Sequence, residues 1–240
     1  AARWIPRVAA GDAIAAIAVS EPDAGSDAAS IALRAERSAG GWRLTGTKTW
    51  ISNAPEADVY ALFARTTEGA GARGVTAFLV EGGARGLTGT ALDLLASHAG
   101  GTLVLDGVEV GDDAVLGAID QGFQLAMRTL DLFRPSVGAF AVGMAQAALD
   151  ASLAHAATRR QFGKELREHQ AVAHALADMS VLVEASRLLV YRAASAYDAA
   201  GRADTRLSAT AKLFATESAQ RVIDSAIQIH GARGLVRGSL

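Results

Sequence analysis

The stretch Val19-Ser20-Glu21-Pro22-Asp23-Ala24-Gly25-Ser26-Asp27 is the most informative part of this sequence. Pro22 fixes its own φ, and Gly25 has no Cβ, so the backbone can turn tightly and approach a ligand closely. The Ser26 hydroxyl and the neighbouring amides are then available as hydrogen-bond donors. A turn of this kind can bind a phosphate group without using a lysine.

A second stretch, Thr47-Lys48-Thr49-Trp50-Ile51-Ser52-Asn53, offers an aromatic surface. Trp50 presents a wide apolar plane, and the Ser52 hydroxyl follows two residues later. On a strand, residues i and i+2 point to one face, so both side chains can contact the same ligand. Together the two stretches suit a flat aromatic ring system that has polar edges and carries phosphate.

The first stretch matches a known family pattern. Residues 20–27 fit Thr/Ser-Glu-Pro-x-Ala-Gly-Ser-Asp, with Asp23 at the free position, and here the chain resembles the acyl-CoA dehydrogenase family of flavoproteins. Four further strings match the family in the same order: Trp50-Ile51-Ser52-Asn53, Asp131-Leu132-Phe133-Arg134, Arg159-Arg160-Gln161-Phe162-Gly163 with His169-Gln170, and Gln228-Ile229-His230-Gly231. The resemblance covers the family's middle β-domain and most of its C-terminal helical domain. We therefore expect the chain to be an internal piece of a longer protein.

The resemblance implies FAD as the cofactor. It implies that the backbone and hydroxyl of Ser20 bind the pyrimidine edge of the flavin and that Ser26 serves the pyrophosphate. It also implies that Trp50 lies beside the ring, with Ser52 near N5, where donors stabilise the charge that builds up as the ring accepts hydride. The residues that the resemblance assigns to FAD are Val19, Ser20, Gly25, Ser26, Trp50, Ile51, Ser52, Arg159, Phe162, His169, Gln170, Gln228, Ile229, His230 and Gly231.

Some of these residues imply contacts between subunits. Arg159 and Phe162 match a family pair that reaches the FAD of a neighbouring subunit, and residues 228–231 match a strip that meets the adenosine half across the same interface. Ala232 stands where the family usually has a second glycine, so its Cβ narrows the approach to the pyrophosphate. From this resemblance we expect a homo-oligomer, either a dimer or a tetramer built from two dimers.

The substrate and the catalytic base are assigned in the same way. Asp131 and Arg134 lie on one helix face, where such a pair is most often a surface salt bridge. The resemblance implies that this pair binds the CoA part of the substrate and that Ser26 also serves the CoA side. Some family members place the catalytic glutamate immediately before this arginine, but here that residue is Phe133, which cannot accept a proton. We therefore expect the base to lie after Leu240, unless the protein is a non-catalytic relative.

The function implied is an FAD-dependent acyl-CoA dehydrogenase that forms an α,β-unsaturated thioester. Its electrons would leave to a separate carrier such as an electron-transferring flavoprotein. Two alternatives remain at this point. One is an acyl-CoA oxidase or flavin monooxygenase on the same scaffold, and the other is an inactive structural subunit that retains the cofactor.

Composition excludes several classes of function. The 240 residues are half apolar and carry Lys+Arg 23 against Asp+Glu 25, with no basic block that would indicate nucleic acid. The absence of cysteine excludes disulfides and thiol chemistry and favours a reducing compartment, so we expect a cytoplasmic protein. The five histidines lack metal-ligand spacing, so we expect no metal. Charged residues or glycines interrupt every apolar run, so we expect no membrane span.

Periodicity divides the chain into two domains and predicts an α+β protein. Residues 1–117, which include the end of a linker helix, contain short glycine-bounded strand patterns and predict an antiparallel β-barrel or sandwich. Residues 118–240 show long helical periodicity and predict an up-down helical bundle, with Asp204 capping one helix. Residues 69–74 fit a dinucleotide-binding pattern, but they precede a strand rather than a helix, so we expect a hairpin loop there.

Overall fold

A computed structural model describes residues 2–95 and 99–238 of the chain. The chain divides into two compact units, one up to Met127 and the other from Arg128. The predicted domain boundary at 117/118 lies before the helix that crosses this division, and it stays a prediction. The fold itself, a β domain followed by a helical domain, confirms the predicted class.

The first unit begins with a short helix and is otherwise built from strands. Helix α1 covers Trp4–Ala10. The strands are β1 (Ala15–Ala18), β2 (Arg34–Ser38), β3 (Gly41–Ser52), β4 (Val59–Arg65), β5 (Val75–Glu81), β6 (Leu87–Ala91), β7 (Gly100–Val110) and β8 (Val115–Leu116). Residues 69–74 lie between the antiparallel strands β4 and β5, which confirms the predicted hairpin loop.

The strands form one eight-stranded sheet in the order β6-β7-β3-β2-β4-β5-β8, with β1 paired to β4. Most pairs are antiparallel, but β1 runs parallel to β4, and β2 meets β4 in parallel at one position. The sheet ends at β6 and β8 and does not close, so the predicted barrel is an open mixed sheet. Glycine-bounded runs locate strands in a sequence, but they do not determine whether the first and last strands pair.

The second unit is helical. Its elements are α2 (Gly122–Thr158), which begins in the first unit, the hairpin strands β9 (Arg160–Gln161) and β10 (Lys164–Glu165), α3 (Gln170–Ala200) and α4 (Thr205–His230). Helix α4 begins where Asp204 accepts a hydrogen bond from the Leu207 amide at 2.9 Å, so the predicted cap is confirmed. The buried face of α4 is made largely of alanines and serines spaced three or four apart, and such small residues allow close helix packing.

The length and composition of helix α2 do not fit the expectation that no segment could span a membrane. It is the one helix among the described residues that is long and apolar enough to cross a membrane, judged by length and composition alone. The glycines and the single acidic residue between Pro135 and Ser152 do not raise its polarity enough to exclude this. A core helix of a globular domain has the same properties, and Ala141, Ala145 and Leu149 of α2 are buried in the helical core.

Candidate cofactor and substrate site

The two informative stretches meet in the first unit. The Thr49 amide donates to the Ser20 carbonyl at 3.0 Å, and the Lys48 ammonium donates to the Val19 carbonyl at 2.8 Å. The predicted turn is present, because the amides and carbonyls of Glu21 and Ala24 bond reciprocally at 2.9 and 3.2 Å. The loop therefore lies directly against strand β3, just before Trp50.

Trp50 lies in a bulge of β3. Lys48 pairs with Leu103 of β7 and Ile51 pairs with Gly101, so β3 has one residue more than its partner over this interval. Trp50 takes up the irregularity with a φ of +60°, which is costly for a bulky residue. Its side chain is 65% exposed although Ile51 is buried. A strained, exposed indole has no role in the core and is typical of a ligand-binding position.

Ser52 also faces outward, so the alternation predicted from the sequence holds for Trp50 and Ser52. In the loop, Ser26 is exposed, and neither its hydroxyl nor that of Ser20 bonds to another group within the described residues. Gly25 has an ordinary φ, and a Cβ built on it would meet nothing within 4 Å. Neither backbone strain nor packing within this unit requires that glycine, and the space beside it is open.

Two buried residues of these stretches, Lys48 and Glu21, had no predicted role. Lys48 is fully buried and bonds to the carboxylate of Glu21 at 2.8 Å, with Glu21 7% exposed. Burial lowers the pKa of Lys48 to about 8, against the opposing charge and hydrogen bond of Glu21. The alternation of β3 could have predicted that Lys48 is buried. Lys48 is an even number of residues from Trp42 and Leu44, so it lies on the same buried face of the strand.

The far end of the loop is held by Arg65. Its guanidinium donates to the carbonyls of Ala29 at 2.6 Å, Ile31 at 3.0 Å and Gly71 at 2.8 Å. These bonds tie the loop to β4 and to the β4–β5 connection. The carbonyls of Ala29 and Ile31 lie 36 and 34 residues before Arg65, so no local pattern in the sequence indicates this role.

In the second unit, Arg159 lies beside the end of α4. A cavity of about 400 Å³ is lined by Arg159, Gln161, Ile229, His230, Gly231 and their neighbours, so two of the predicted FAD strips meet there. Gln228 is not among the lining residues. No carboxylate within the described range pairs with Arg159, whereas Arg160 bonds to the Gly163 carbonyl at 2.9 Å and lies 3.8 Å from Glu165. The Arg159 guanidinium is therefore available to an anion.

The other predicted residues of this group are near the β9–β10 hairpin. Phe162 lies at its turn with a φ of +53° and is 93% exposed. The His169 ring lies edge-on to Phe162 with 6.2 Å between centroids, and His169 Nε2 is 3.2 Å from the Gln161 carbonyl oxygen. Gln170 is the first residue of α3. An aromatic side chain held so far into solvent is suited to contact another molecule.

His155 and His230 stack at the same cavity with 4.5 Å between ring centroids. Burial lowers the pKa of His155, and the charges of His230, Arg233 and Arg159 lower it further. The folded protein therefore binds fewer protons here than the unfolded chain near pH 6. The unfolded chain has the ordinary histidine pKa of about 6.5, and the pKa of His155 in the folded protein is lower. The free energy of unfolding should therefore fall as the pH drops from about 6.5 towards the folded pKa.

Urea unfolding at pH 7.5 and 5.5 checks this prediction. The wild-type protein should lose more stability between the two pH values than His155→Gln, which has no titrating ring at this position. The same loss in both proteins would show that His155 does not carry the effect.

The predicted CoA pair lies on α2. Asp131 forms an ion pair with Arg134 and also accepts a hydrogen bond from the Thr205 hydroxyl at 2.5 Å. The neighbouring Phe133 is 53% exposed and supplies no proton acceptor. Over residues 2–95 and 99–238 no cluster of three or more possible metal ligands occurs, and the expectation of no metal stays a prediction.

Two family models match the chain. The acyl-CoA dehydrogenase middle domain matches residues 16–108, and the acyl-CoA dehydrogenase C-terminal domain matches residues 120–240. The chain therefore belongs to the acyl-CoA dehydrogenase family, as the motifs indicated.

Individual relatives are similar along almost the whole chain. Cyclohexane-1-carbonyl-CoA dehydrogenase of Geobacter metallireducens is 39% identical over 98% of this chain and 62% of its own length. Butyryl-CoA dehydrogenase of Megasphaera elsdenii has a structure with a TM-score of 0.94, at 36% identity over 98% of this chain and 62% of its own. A structure of the electron transferring flavoprotein of Acidaminococcus fermentans contains a chain with a TM-score of 0.94, at 34% identity over the same shares. The chain thus spans about three fifths of the length of these relatives.

Proposed function

We propose that this chain forms the cofactor site of an FAD-dependent acyl-CoA dehydrogenase, which oxidises an acyl-CoA thioester to its α,β-unsaturated form. The observation that carries the proposal is the exposed, strained Trp50 held beside a loop with free serine hydroxyls. Family membership and the substrates named for the relatives support it. They favour a dehydrogenase over the oxidase, monooxygenase and structural-subunit alternatives.

The residues present fit FAD. When bound, FAD supplies the hydride acceptor for the oxidation. Ser20 offers a hydroxyl to the polar edge of the flavin, Trp50 offers an apolar plane beside it, and Gly25 with Ser26 leaves room and a donor for phosphate. The unpaired Arg159 offers a charge-assisted bond to a phosphate of the FAD of a neighbouring subunit.

Substrate binding is assigned to α2. Arg134 would bind the CoA moiety, and Asp131 would hold Arg134 in place, since both of its oxygens already accept bonds. The α-proton would be taken by a carboxylate outside these 240 residues, because Phe133 cannot take it. We further propose a dimer or tetramer, a cytoplasmic location and an electron-transferring flavoprotein as the electron acceptor.

The colour of the purified full-length protein tests the cofactor assignment. It should show flavin absorbance, or gain it on reconstitution with FAD. A protein that stays colourless and takes up no FAD would rule the proposal out.

Replacing Arg159 tests the contact between subunits. Arg159→Ala should weaken FAD retention by about 1–3 kcal/mol if a phosphate loses its charge-assisted bond. Arg160→Ala is the matched control, because Arg160 already bonds within the hairpin and should have little effect. Equal losses in the two variants, or full FAD occupancy in a monodisperse monomer, would contradict the assignment.

A further inference from the structure

Lys48 and Glu21 form a buried ion pair beneath the loop and the bulge. The Lys48 ammonium, with no exposed surface, donates to the Val19 carbonyl and to the Glu21 carboxylate, each at 2.8 Å. The same carboxylate accepts from the backbone amides of Ala32 at 2.6 Å and Leu33 at 3.0 Å. Glu21 therefore closes the neck of the loop from residue 21 to residue 33, and Lys48 ties that neck to β3.

A buried ion pair is a poor source of net stability, because removing two charges from water costs about as much as their attraction returns. Apolar residues of similar size often serve a core equally well. The lowered pKa of Lys48 shows that burial outweighs the attraction of Glu21 at this site. Net stability is therefore a weak explanation for a charged pair at this position.

The position of the pair supplies a better explanation. Val19, which Lys48 holds, directly precedes Ser20, and Thr49, which follows Lys48, donates to the Ser20 carbonyl. Trp50 comes next and enters the bulge. The Lys48 side chain and the Thr49 amide thus hold the backbone that precedes Trp50 against the backbone around Ser20. An apolar residue could fill the same volume, but it could not hold the Val19 carbonyl.

We propose that Lys48 and Glu21 are positioning residues of the cofactor site, which set the placement of Ser20 relative to Trp50 and so preorganise the protein for the flavin ring. This inference rests on the proposed function. The pair acts through the loop and the bulge, and neither residue needs to touch the cofactor.

The test separates positioning from stability in the full-length protein. Lys48→Met leaves the Glu21 carboxylate buried without its cation, so it should lower both stability and FAD affinity. The double variant Glu21→Gln/Lys48→Met removes both charges and should recover part of the stability that Lys48→Met loses, since no unpaired charge stays buried. It should still bind FAD at least about tenfold more weakly than wild type, with a shifted flavin absorption spectrum. The control is Arg43→Met, which breaks the exposed Arg43–Glu109 pair of the same unit and should leave both readouts unchanged.

A second measurement needs no substitution. Hydrogen exchange at the Ala32 and Leu33 amides should slow by at least about tenfold when FAD is present at 100 times its Kd, because an opened loop cannot bind it. The Phe78 amide in the sheet core serves as the reference.

Wild-type binding of FAD is the internal control for the proposed function. If wild type binds no FAD, the proposed function fails. If wild type binds FAD and the folded double variant binds it equally, with an unchanged spectrum, the positioning role is overturned. Should the double variant not fold, equal exchange at Ala32 and Leu33 with and without FAD would overturn it.

Discussion

Replacing Trp50 by glycine should weaken FAD binding by about 10- to 100-fold, while the protein without cofactor stays as stable as wild type or gains up to about 1 kcal/mol. The two effects have different origins. The loss of affinity follows from removing an aromatic plane whose burial against a ligand contributes about 1.5–3 kcal/mol. The gain in stability follows from the φ of +60°, which glycine adopts without the strain that it costs tryptophan.

Two titrations measure these effects. Urea unfolding of the apoprotein gives the stability, and quenching of flavin fluorescence gives the affinity. Trp50→Phe is the matched control, because it keeps an aromatic plane and the strain and should retain most of the affinity. A large fall in the stability of apo Trp50→Gly would show that the indole is a core residue, and it would remove the main support for a flavin site here.

The catalytic base should dominate turnover in the full-length protein. Replacing the carboxylate that we expect at the family position should slow acyl-CoA oxidation by about 10²–10⁴-fold and leave FAD bound. The reason is that the α-proton of a thioester is too weakly acidic to leave without a positioned acceptor.

Phe133 allows the complementary experiment. Within the base-less protein, Phe133→Glu restores a carboxylate next to Arg134, at the position that some family members use, and should recover at least about tenfold in rate. Phe133→Gln, of the same shape without the proton acceptor, should recover nothing. Equal rates in the two variants would show that this position cannot reach the α-proton, and an unaffected rate in the base-less protein would contradict the mechanism.

The fold class could be predicted from the sequence because the hydrophobic residues of each half repeat with a different period. Glycine-bounded strand patterns and the 3.6-residue periodicity after Gln121 are local signals, and so is the Asp204 cap. Whether a sheet closes depends on pairing between strands that are distant in sequence. Local patterns could therefore not show that the predicted barrel is an open sheet. The parallel pairing of β1 with β4 likewise joins residues more than forty positions apart, and nothing in either strand encodes it.

The site shows the same division. Alternation along β3 placed Trp50 and Ser52 on one face, and the structure has both exposed. The bulge depends on the register with β7, which a single strand does not reveal. Lys48 looked like an ordinary strand residue because its partner Glu21 is 27 residues away. The motif residues could thus be chosen from the sequence. The Lys48–Glu21 pair beneath them could be found only from the three-dimensional packing.

Anaerobic mixing of the full-length protein with a panel of acyl-CoA thioesters is the most direct test of the central claim, that this chain builds the flavin site of an acyl-CoA dehydrogenase. At least one thioester should bleach the flavin absorbance of the wild-type protein, and the 2-enoyl-CoA should accumulate in an amount equal to the flavin reduced. An FAD-loaded protein whose absorbance no thioester in the panel changes would contradict the claim.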